Sequence, residues 1–169
     1  FTSNVAEAVP FIFFVLSGGA IPLALTILQV LAVDLGTDML PALGLGLERP
    51  EPGVMQRPPR SQKAHLIDRN LLLRAWAWLG LMAAFFGMGA FFLFYWTNGY
   101  CCRVAPLPGE EQVGRLYLAA TTITLAAIVA AQIGNGLAVR TERSSTFSVG
   151  LFSNRYLNIG ILTEVLIIL

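Results

Sequence analysis

Long apolar runs separated by polar connections are the feature that most restricts how this chain can fold. Several of these runs approach 20 residues, which is about the length a helix needs to cross the hydrocarbon core of a bilayer. Of the 169 residues, 56% are hydrophobic and only 12% are charged, and the mean hydropathy is +0.68. A soluble domain carries about twice that charged fraction. The sequence therefore predicts an all-α, multi-pass membrane bundle of about five transmembrane helices.

The apolar pattern places these helices over residues 2–17, 22–47, 71–96, 115–139 and from 154 onward. The Gly18-Gly19 connection is short, so the first two segments are expected to form an antiparallel pair. The first and last apolar segments are shorter than a full span, which takes about 20 residues. We therefore expect residues 1–169 to be a single transmembrane domain fragment of a longer membrane chain, with truncated first and last helices.

Arginine and lysine residues indicate how the bundle is oriented. They flank the connections at 48–70 and 140–155, whereas only Arg103 and Arg115 lie at the opposite end. Basic residues favour the cytoplasmic side of a membrane. The sequence thus predicts a cytoplasmic loop at 48–70 and an extracytoplasmic loop at 97–114, in a protein of the plasma membrane. The net charge of +1 gives no field that would favour nucleic acid as a partner.

Four acidic side chains fall inside apolar segments. An aspartate at the centre of a spanning helix costs about 2.5–3.5 kcal/mol, whereas each large apolar residue returns only about 0.3–0.6 kcal/mol. Residues 1–47 contain no lysine or arginine that could pair with these acids. Acidic side chains inside a membrane without a basic partner indicate a cation site. The four acidic residues are Glu7, Asp34, Asp38 and Glu164.

The second apolar segment combines two acids with residues that weaken a helix. Asp34 and Asp38 are four residues apart and share a helix face, so their mutual repulsion requires a cation or protons. Gly36 and Pro41 predict a helix broken at residues 34–38, because both residues disturb the hydrogen-bond ladder. Freed carbonyl oxygens are tolerated in a membrane only inside protein or beside a polar cavity.

Carboxylates, freed carbonyls and the Thr37 hydroxyl together form an oxygen cage suited to a hard cation. The first helix adds Asn4 and Glu7, which are three residues apart and share a face. Gln132 and Asn135 have the same spacing on the fourth helix, and they are either further ligands or hydrogen-bonding residues between helices. The metal-ligating candidates are Asn4, Glu7, Asp34 and Asp38.

Three motifs resemble the C-terminal transmembrane half of P-type cation-transporting ATPases. They are "TSNVAEAVPF", "VDLGTDMLPALGLG" and "VMQRPPRS", in the order and at the spacing found in that family. The resemblance covers essentially the whole chain, from within the family's fifth transmembrane helix into its ninth. It implies that Ser3, Asn4 and Glu7 are fifth-helix ion ligands, that Asp34, Thr37 and Asp38 are sixth-helix ligands, and that Gln132, Asn135 and Glu164 are eighth- and ninth-helix positions facing the ions.

The resemblance also distinguishes among ions. Calcium pumps typically have asparagine at the position of Asp34, whereas the sodium–potassium pump has aspartate there, as here. Gln132 stands where calcium pumps have glutamate, and Asn135 where the sodium–potassium pump has aspartate, so both positions are neutral in this chain. Calcium, sodium, potassium and protons all remain candidates for the transported cation.

The catalytic parts of that family lie outside this sequence. It contains no "D-K-T-G" phosphorylation motif and no "T-G-E" loop, so none of its residues is assigned a catalytic role. ATP and magnesium are expected to act only through cytoplasmic domains elsewhere in the pump chain, and membrane lipid and that remaining chain are the expected partners. The alternatives are a secondary cation transporter or channel, and a truncated, non-catalytic regulatory relative.

Overall fold

The computed structural model describes residues 2–50, 53–56, 58–59, 67–100, 111–141 and 145–168. Within these ranges every regular element is helical, which confirms the all-α prediction. Among the described residues, three helical segments are long and apolar enough to cross a membrane, namely Ile27–Gly46, Arg69–Thr97 and Gly114–Ala138. The five main helices are α1 (Thr2–Leu16), α2 (Ile27–Gly46), α3 (Arg69–Thr97), α4 (Glu111–Ala138) and α5 (Arg155–Ile168).

The connection between α1 and α2 is longer than the sequence pattern suggested. Gly18 and Gly19 form the expected turn, with positive φ values of 61° and 84°. Helix α2, however, begins at Ile27 and not near residue 22. Thr26 sets this start because its hydroxyl accepts a hydrogen bond from the Gln29 backbone, while the Gln29 side chain accepts one from the Thr26 backbone at 2.9 Å. This capping box is a stronger start signal than an apolar run alone.

The remaining predicted boundaries are close to the observed ones. Helix α3 extends slightly beyond the predicted 71–96, and α4 begins before the predicted residue 115. The predicted loops also contain short helical turns at Val54–Gln56 and Thr146–Val149. Most of the predicted extracytoplasmic loop, residues 101–110, lies outside the described residues.

Glycines lie at the closest contacts between packed helices. Helix α1 packs mainly on α3, α3 on α4, and α2 on α5. A Cβ atom at Gly80 would lie 2.8 Å from Val5 Cβ, and one at Gly87 would lie 2.7 Å from Ile128 Cγ1. Such close approach is how small residues drive helix association in lipid, where the hydrophobic effect between helices is absent. The core between these helices includes Ala6, Leu25, Ala83, Ala84 and Ile128.

Helix α2 is irregular at the position predicted from its acids and glycine. Residues Val33–Asp38 form a π-helical segment between two α-helical stretches. The interruption is therefore a widened turn in a continuous helix and not an open gap. The Thr37 hydroxyl donates to the Val33 carbonyl oxygen at 2.9 Å within this turn. Wide turns of this kind occur frequently at functional sites.

The connections lie at two opposite ends of the bundle. At one end, the Tyr117 hydroxyl of α4 donates to the Leu23 carbonyl at 2.8 Å, and Ile21 packs with the cluster containing Tyr95 and Ala120. At the other end, Glu48 after α2 pairs with Arg140 after α4. This arrangement agrees with alternating helices, while the assignment of the Glu48 end to the cytoplasm stays a prediction from the basic residues.

Candidate cation site

Three carboxylates from two helices converge on one another. Glu7 of α1 and Asp34 and Asp38 of α2 each offer an oxygen, and these oxygens lie within 4.8 Å of one another. The helices themselves pack mainly on other partners, α1 on α3 and α2 on α5. The acidic side chains therefore meet across a boundary between two packed helix pairs.

Helix α1 contributes a buried acid and polar neighbours. Glu7 is only 6% exposed, and its Oε1 is buried without a hydrogen-bond partner among the described residues. Ser3 is also buried, and its side chain interacts with the Asp38 carboxylate. The Ser3 hydroxyl lies 3.3 Å from Asn4 Oδ1, while Asn4 itself is exposed. Ser3 thus lies beside Asp38 of the acidic cluster, whereas Asn4 is exposed and contacts Ser3.

Helix α2 presents its acids at two levels of burial. Asp38 is half-buried and Asp34 is exposed, and Thr37, which lies between them in sequence, is buried. The π-helical segment includes all three residues. Because the Thr37 hydroxyl proton is used on Val33 O, the oxygen of that hydroxyl remains available to a cation through its lone pairs.

Helix α5 adds a fourth acid near this cluster. Glu164 is 3% exposed, interacts electrostatically with Asp38, and has one buried carboxylate oxygen without a partner among the described residues. On α4, the amide nitrogen and oxygen of Gln132 are also buried, and neither has a hydrogen-bond partner in the described part of the chain. Asn135 donates to the Leu79 carbonyl at 3.5 Å, a long contact. The converging oxygens within 4.8 Å of one another thus belong to Glu7, Asp34 and Asp38 and do not include Glu164, while Asn135 makes a helix-packing contact.

Unpartnered buried oxygens give this region its chemical character. Most buried polar atoms in proteins have a hydrogen-bond partner, and an exception calls for a specific explanation. Among the described residues, the unpartnered carboxylate oxygens belong to Glu7 and Glu164, both of which interact electrostatically with nearby aspartates. Clustered carboxylates repel one another unless a cation or protons neutralise them. The arrangement is thus able to hold a hard cation through oxygen ligands alone.

A buried ion pair at the end of the bundle was missed by the sequence analysis. Arg140 was interpreted only as a topology marker, whereas its side chain is 0% exposed and its Nε lies 2.8 Å from Glu48 Oε2. Hydrogen bonds from Arg140 and Asn154 lower the pKa of the Glu48 carboxyl. The partners are 92 residues apart in sequence, so no local pattern links them.

Helical spans combined with intramembrane carboxylates define an integral membrane protein of the ion-handling class. The chain belongs to the cation-transporting ATPases, since residues 22–169 match the family model described as "Cation transporting ATPase, C-terminus". The resemblance drawn from the three sequence motifs is thereby confirmed.

Individual relatives support the same assignment. The chain is 32% identical over 189 residues to the potassium-transporting ATPase alpha chain 2 of Rattus norvegicus, covering 99% of this chain and 18% of that protein. It is 31% identical over 189 residues to the sodium/potassium-transporting ATPase subunit alpha-4 of Homo sapiens, covering 98% and 18%. It is 31% identical over 184 residues to the sodium/potassium-transporting ATPase subunit alpha of Hydra vulgaris, covering 96% and 18%. The chain therefore spans about a fifth of the length of these relatives.

Proposed function

We propose that this chain is the ion-binding transmembrane half of an ATP-driven cation pump. One observation carries the proposal: the carboxylates of Glu7, Asp34 and Asp38 converge to within 4.8 Å in a part of the sequence without lysine or arginine. Charged groups kept inside a membrane at such expense mark ion pathways far more often than packing.

The ligand set is proposed in two tiers. Glu7, Asp34 and Asp38 supply charge, while Ser3, Asn4 and Thr37 add neutral oxygens around them. Glu164, which interacts electrostatically with Asp38, extends this cage towards α5. The α4 amides form the outer tier, because Gln132 is unpartnered among the described residues and Asn135 makes only a long contact.

We propose a monovalent cation, potassium or sodium, as the cargo. The relatives are named for potassium and for sodium and potassium, and the aspartate at position 34 agrees with the sodium–potassium style of this helix. The neutral side chains of Gln132 and Asn135 also suit a lower charge than that of calcium. In the proposed pump, cation transport is coupled to ATP hydrolysis through the rest of the pump chain.

ATP and magnesium act in the proposed mechanism only through cytoplasmic domains outside this region. Phosphorylation there would shift the pump between two states, and the cage would open to one side of the membrane in each state. The loop at 48–70 would face those domains on the cytoplasmic side of the plasma membrane. The residues of this chain bind, orient and desolvate the cation, and none of them transfers phosphate.

The test is cation-dependent phosphorylation by ATP of the full-length pump in membranes. Asp38→Asn keeps the size of the side chain and removes its charge, so we expect cation dependence to be lost. Asp68→Asn is the matched control, because Asp68 caps α3 by accepting a 2.7 Å hydrogen bond from Leu71 N and asparagine caps equally well. A normally inserted Asp38→Asn protein with unchanged cation affinity would refute the site.

The two other candidate functions predict different results when cation transport is measured alongside phosphorylation. A secondary transporter or channel moves the cation without ATP, so its flux would persist when ATP is withheld. In a regulatory relative, Glu7→Leu and Asp38→Leu would leave transport by the partner pump unchanged. The pump is supported if Asp38→Asn loses cation-dependent phosphorylation and the control Asp68→Asn retains it.

A further inference from the structure

We infer that Glu48, Arg140 and Asn154 form a clamp that positions helix α2, and with it Asp38, for cation binding. The inference rests on the proposed function, because it assigns these residues a role in holding the cation cage. The clamp joins the end of α2, the end of α4 and the start of α5. Arg140 is a positioning residue here and touches neither cation nor ligand.

Arg140 uses every one of its donors, two on Glu48 of the clamp and three on residues 150, 151 and 153 just before α5. Its Nε and Nη2 donate to the two carboxylate oxygens of Glu48 at 2.8 and 3.0 Å. Its Nη1 donates to the carbonyl oxygens of Gly150 and Leu151, and Nη2 donates further to Ser153 Oγ at 2.6 Å. All five N–H groups of the guanidinium are thus partnered, a geometry that a lysine ammonium cannot reproduce.

Asn154 connects the ion pair to both helix backbones. Its Oδ1 accepts a 3.0 Å hydrogen bond from Leu157 N, which caps the start of α5. Its Nδ2 donates to the Gly44 carbonyl at 2.8 Å and to Glu48 Oε2 at 2.9 Å. One side chain therefore fixes the first turn of α5 against the last turn of α2.

Close backbone contact transmits this fixation along α2. A Cβ atom at Gly44 would lie 2.6 Å from Leu157 N, and one at Gly160 would lie 2.8 Å from Pro41 N. No side chain separates the helices at these points, so α5 and the C-terminal half of α2 are held in one register. Pro41 follows Asp38 by three residues, which is less than one helical turn.

The π-helical segment Val33–Asp38 ends where the clamped half of α2 begins. Glu48 itself is ten residues beyond Asp38, or about 15 Å along a helix, so the clamp cannot contact the cation. Its effect on the cage has to pass through the position of the helix. We therefore expect the clamp to change cation affinity without changing the ligands.

The experiment measures the cation concentration that half-activates phosphorylation, and separately the maximal phosphoenzyme level, in the full-length pump. We expect Arg140→Gln and Glu48→Gln each to raise the half-activating concentration roughly five- to tenfold, and the double variant to raise it no further. Independent roles would multiply instead of saturating. A purely structural defect would lower the maximal level and leave the half-activating concentration unchanged.

Two further variants keep the test decisive. Arg140→Lys preserves the buried charge but not the five-donor geometry, so we expect the half-activating cation concentration to rise by a smaller factor of roughly threefold. This variant provides the test of the clamp if Arg140→Gln fails to reach the membrane. Arg155→Gln is the control, since Arg155 is an exposed arginine at the start of α5, and it should behave as wild type. Wild-type affinity in Arg140→Lys and Glu48→Gln would overturn the clamp.

The parallel Asp38→Asn variant separates the two claims. If Asp38→Asn retains the wild-type cation response, the proposed function is wrong and the clamp inference falls with it. If Asp38→Asn loses the response while the Arg140 and Glu48 variants keep wild-type affinity, only the clamp is overturned.

Discussion

The side-chain amide of Asn154 donates a 2.8 Å hydrogen bond to the carbonyl oxygen of Gly44, in a buried contact that joins residues 110 positions apart. The bond is possible because Gly44 carries no side chain where α5 approaches α2. A polar hydrogen bond and a small residue thus act at the same point, the first giving specificity and the second allowing contact.

Gly44→Ala should force α2 and α5 apart. The new Cβ would lie 2.6 Å from Leu157 N, which is backbone and cannot rotate away. We expect destabilisation of about 1–3 kcal/mol, as for other overpacked sites, together with weaker cation activation. Gly46→Ala is the matched control on the same helix, because nothing lies within 4 Å of the added Cβ. Thermal unfolding of the detergent-purified pump measures the first effect, and equal unfolding temperatures for the two variants would contradict the prediction.

Glu48 should make the stability of the pump depend on acid pH. Arg140 holds the pKa of the Glu48 carboxyl below its ordinary value of about 4.5. A lowered folded-state pKa stabilises the fold above the ordinary value, and this contribution is lost as pH falls through the folded pKa. Glu48→Gln should therefore unfold more readily than wild type near neutral pH, with the difference shrinking below about pH 4.5.

The control for this pH effect is the same substitution in an Arg140→Gln background. Without the guanidinium, Glu48 loses the main cause of its lowered pKa. The pH-dependent part of the stability difference caused by Glu48→Gln should then largely vanish. A difference in unfolding temperature that stays constant from about pH 7 to about pH 4 in the protein that retains Arg140 would show that the ion pair does not act through this titration.

The fold was largely predictable because the bilayer restricts it so strongly. An apolar run of about 20 residues in lipid can only be a helix, and α2, α3 and α4 follow from that rule alone. The predicted disturbance at Asp34–Asp38 was also found, since Gly36 and closely spaced acids weaken a regular helix. The form it takes, a π-helical segment, was not predictable, because residue spacing alone does not distinguish a widened turn from an open break.

The candidate site was only partly predictable for a related reason. Helical spacing places Asp34 and Asp38 on one face, and a short connection suggested Glu7 as a neighbour. Spacing cannot reveal, however, that α1 and α2 pack mainly on other helices. It also cannot reveal a partnership such as Glu48 with Arg140, which depends on where three helix ends meet. Local sequence patterns predict which residues share a helix face, whereas tertiary packing determines which of these faces meet.

Glu164→Gln should weaken cation binding while leaving the fold intact. The substitution keeps the shape of a buried side chain and removes a negative charge that interacts with Asp38. We expect the half-activating cation concentration to rise roughly tenfold, which corresponds to about 1.4 kcal/mol. Asp68→Asn removes one charge outside the site and should have no effect on this value. An unchanged affinity in Glu164→Gln would limit the cage to residues of α1 and α2.

Gly87→Ala should loosen the contact between α3 and α4, and Ile128 should account for the effect. The added Cβ would lie 2.7 Å from Ile128 Cγ1, in a core where Ile128 is fully buried. We expect destabilisation of about 1–3 kcal/mol, measured as a lower unfolding temperature, whereas Gly89→Ala should change little because its Cβ would meet open space. Ile128→Ala removes the obstructing atoms and leaves a cavity of its own, so Gly87→Ala should cost less in that background than in wild type. Equal costs in the two backgrounds would mean that the helices separate for a reason other than this contact.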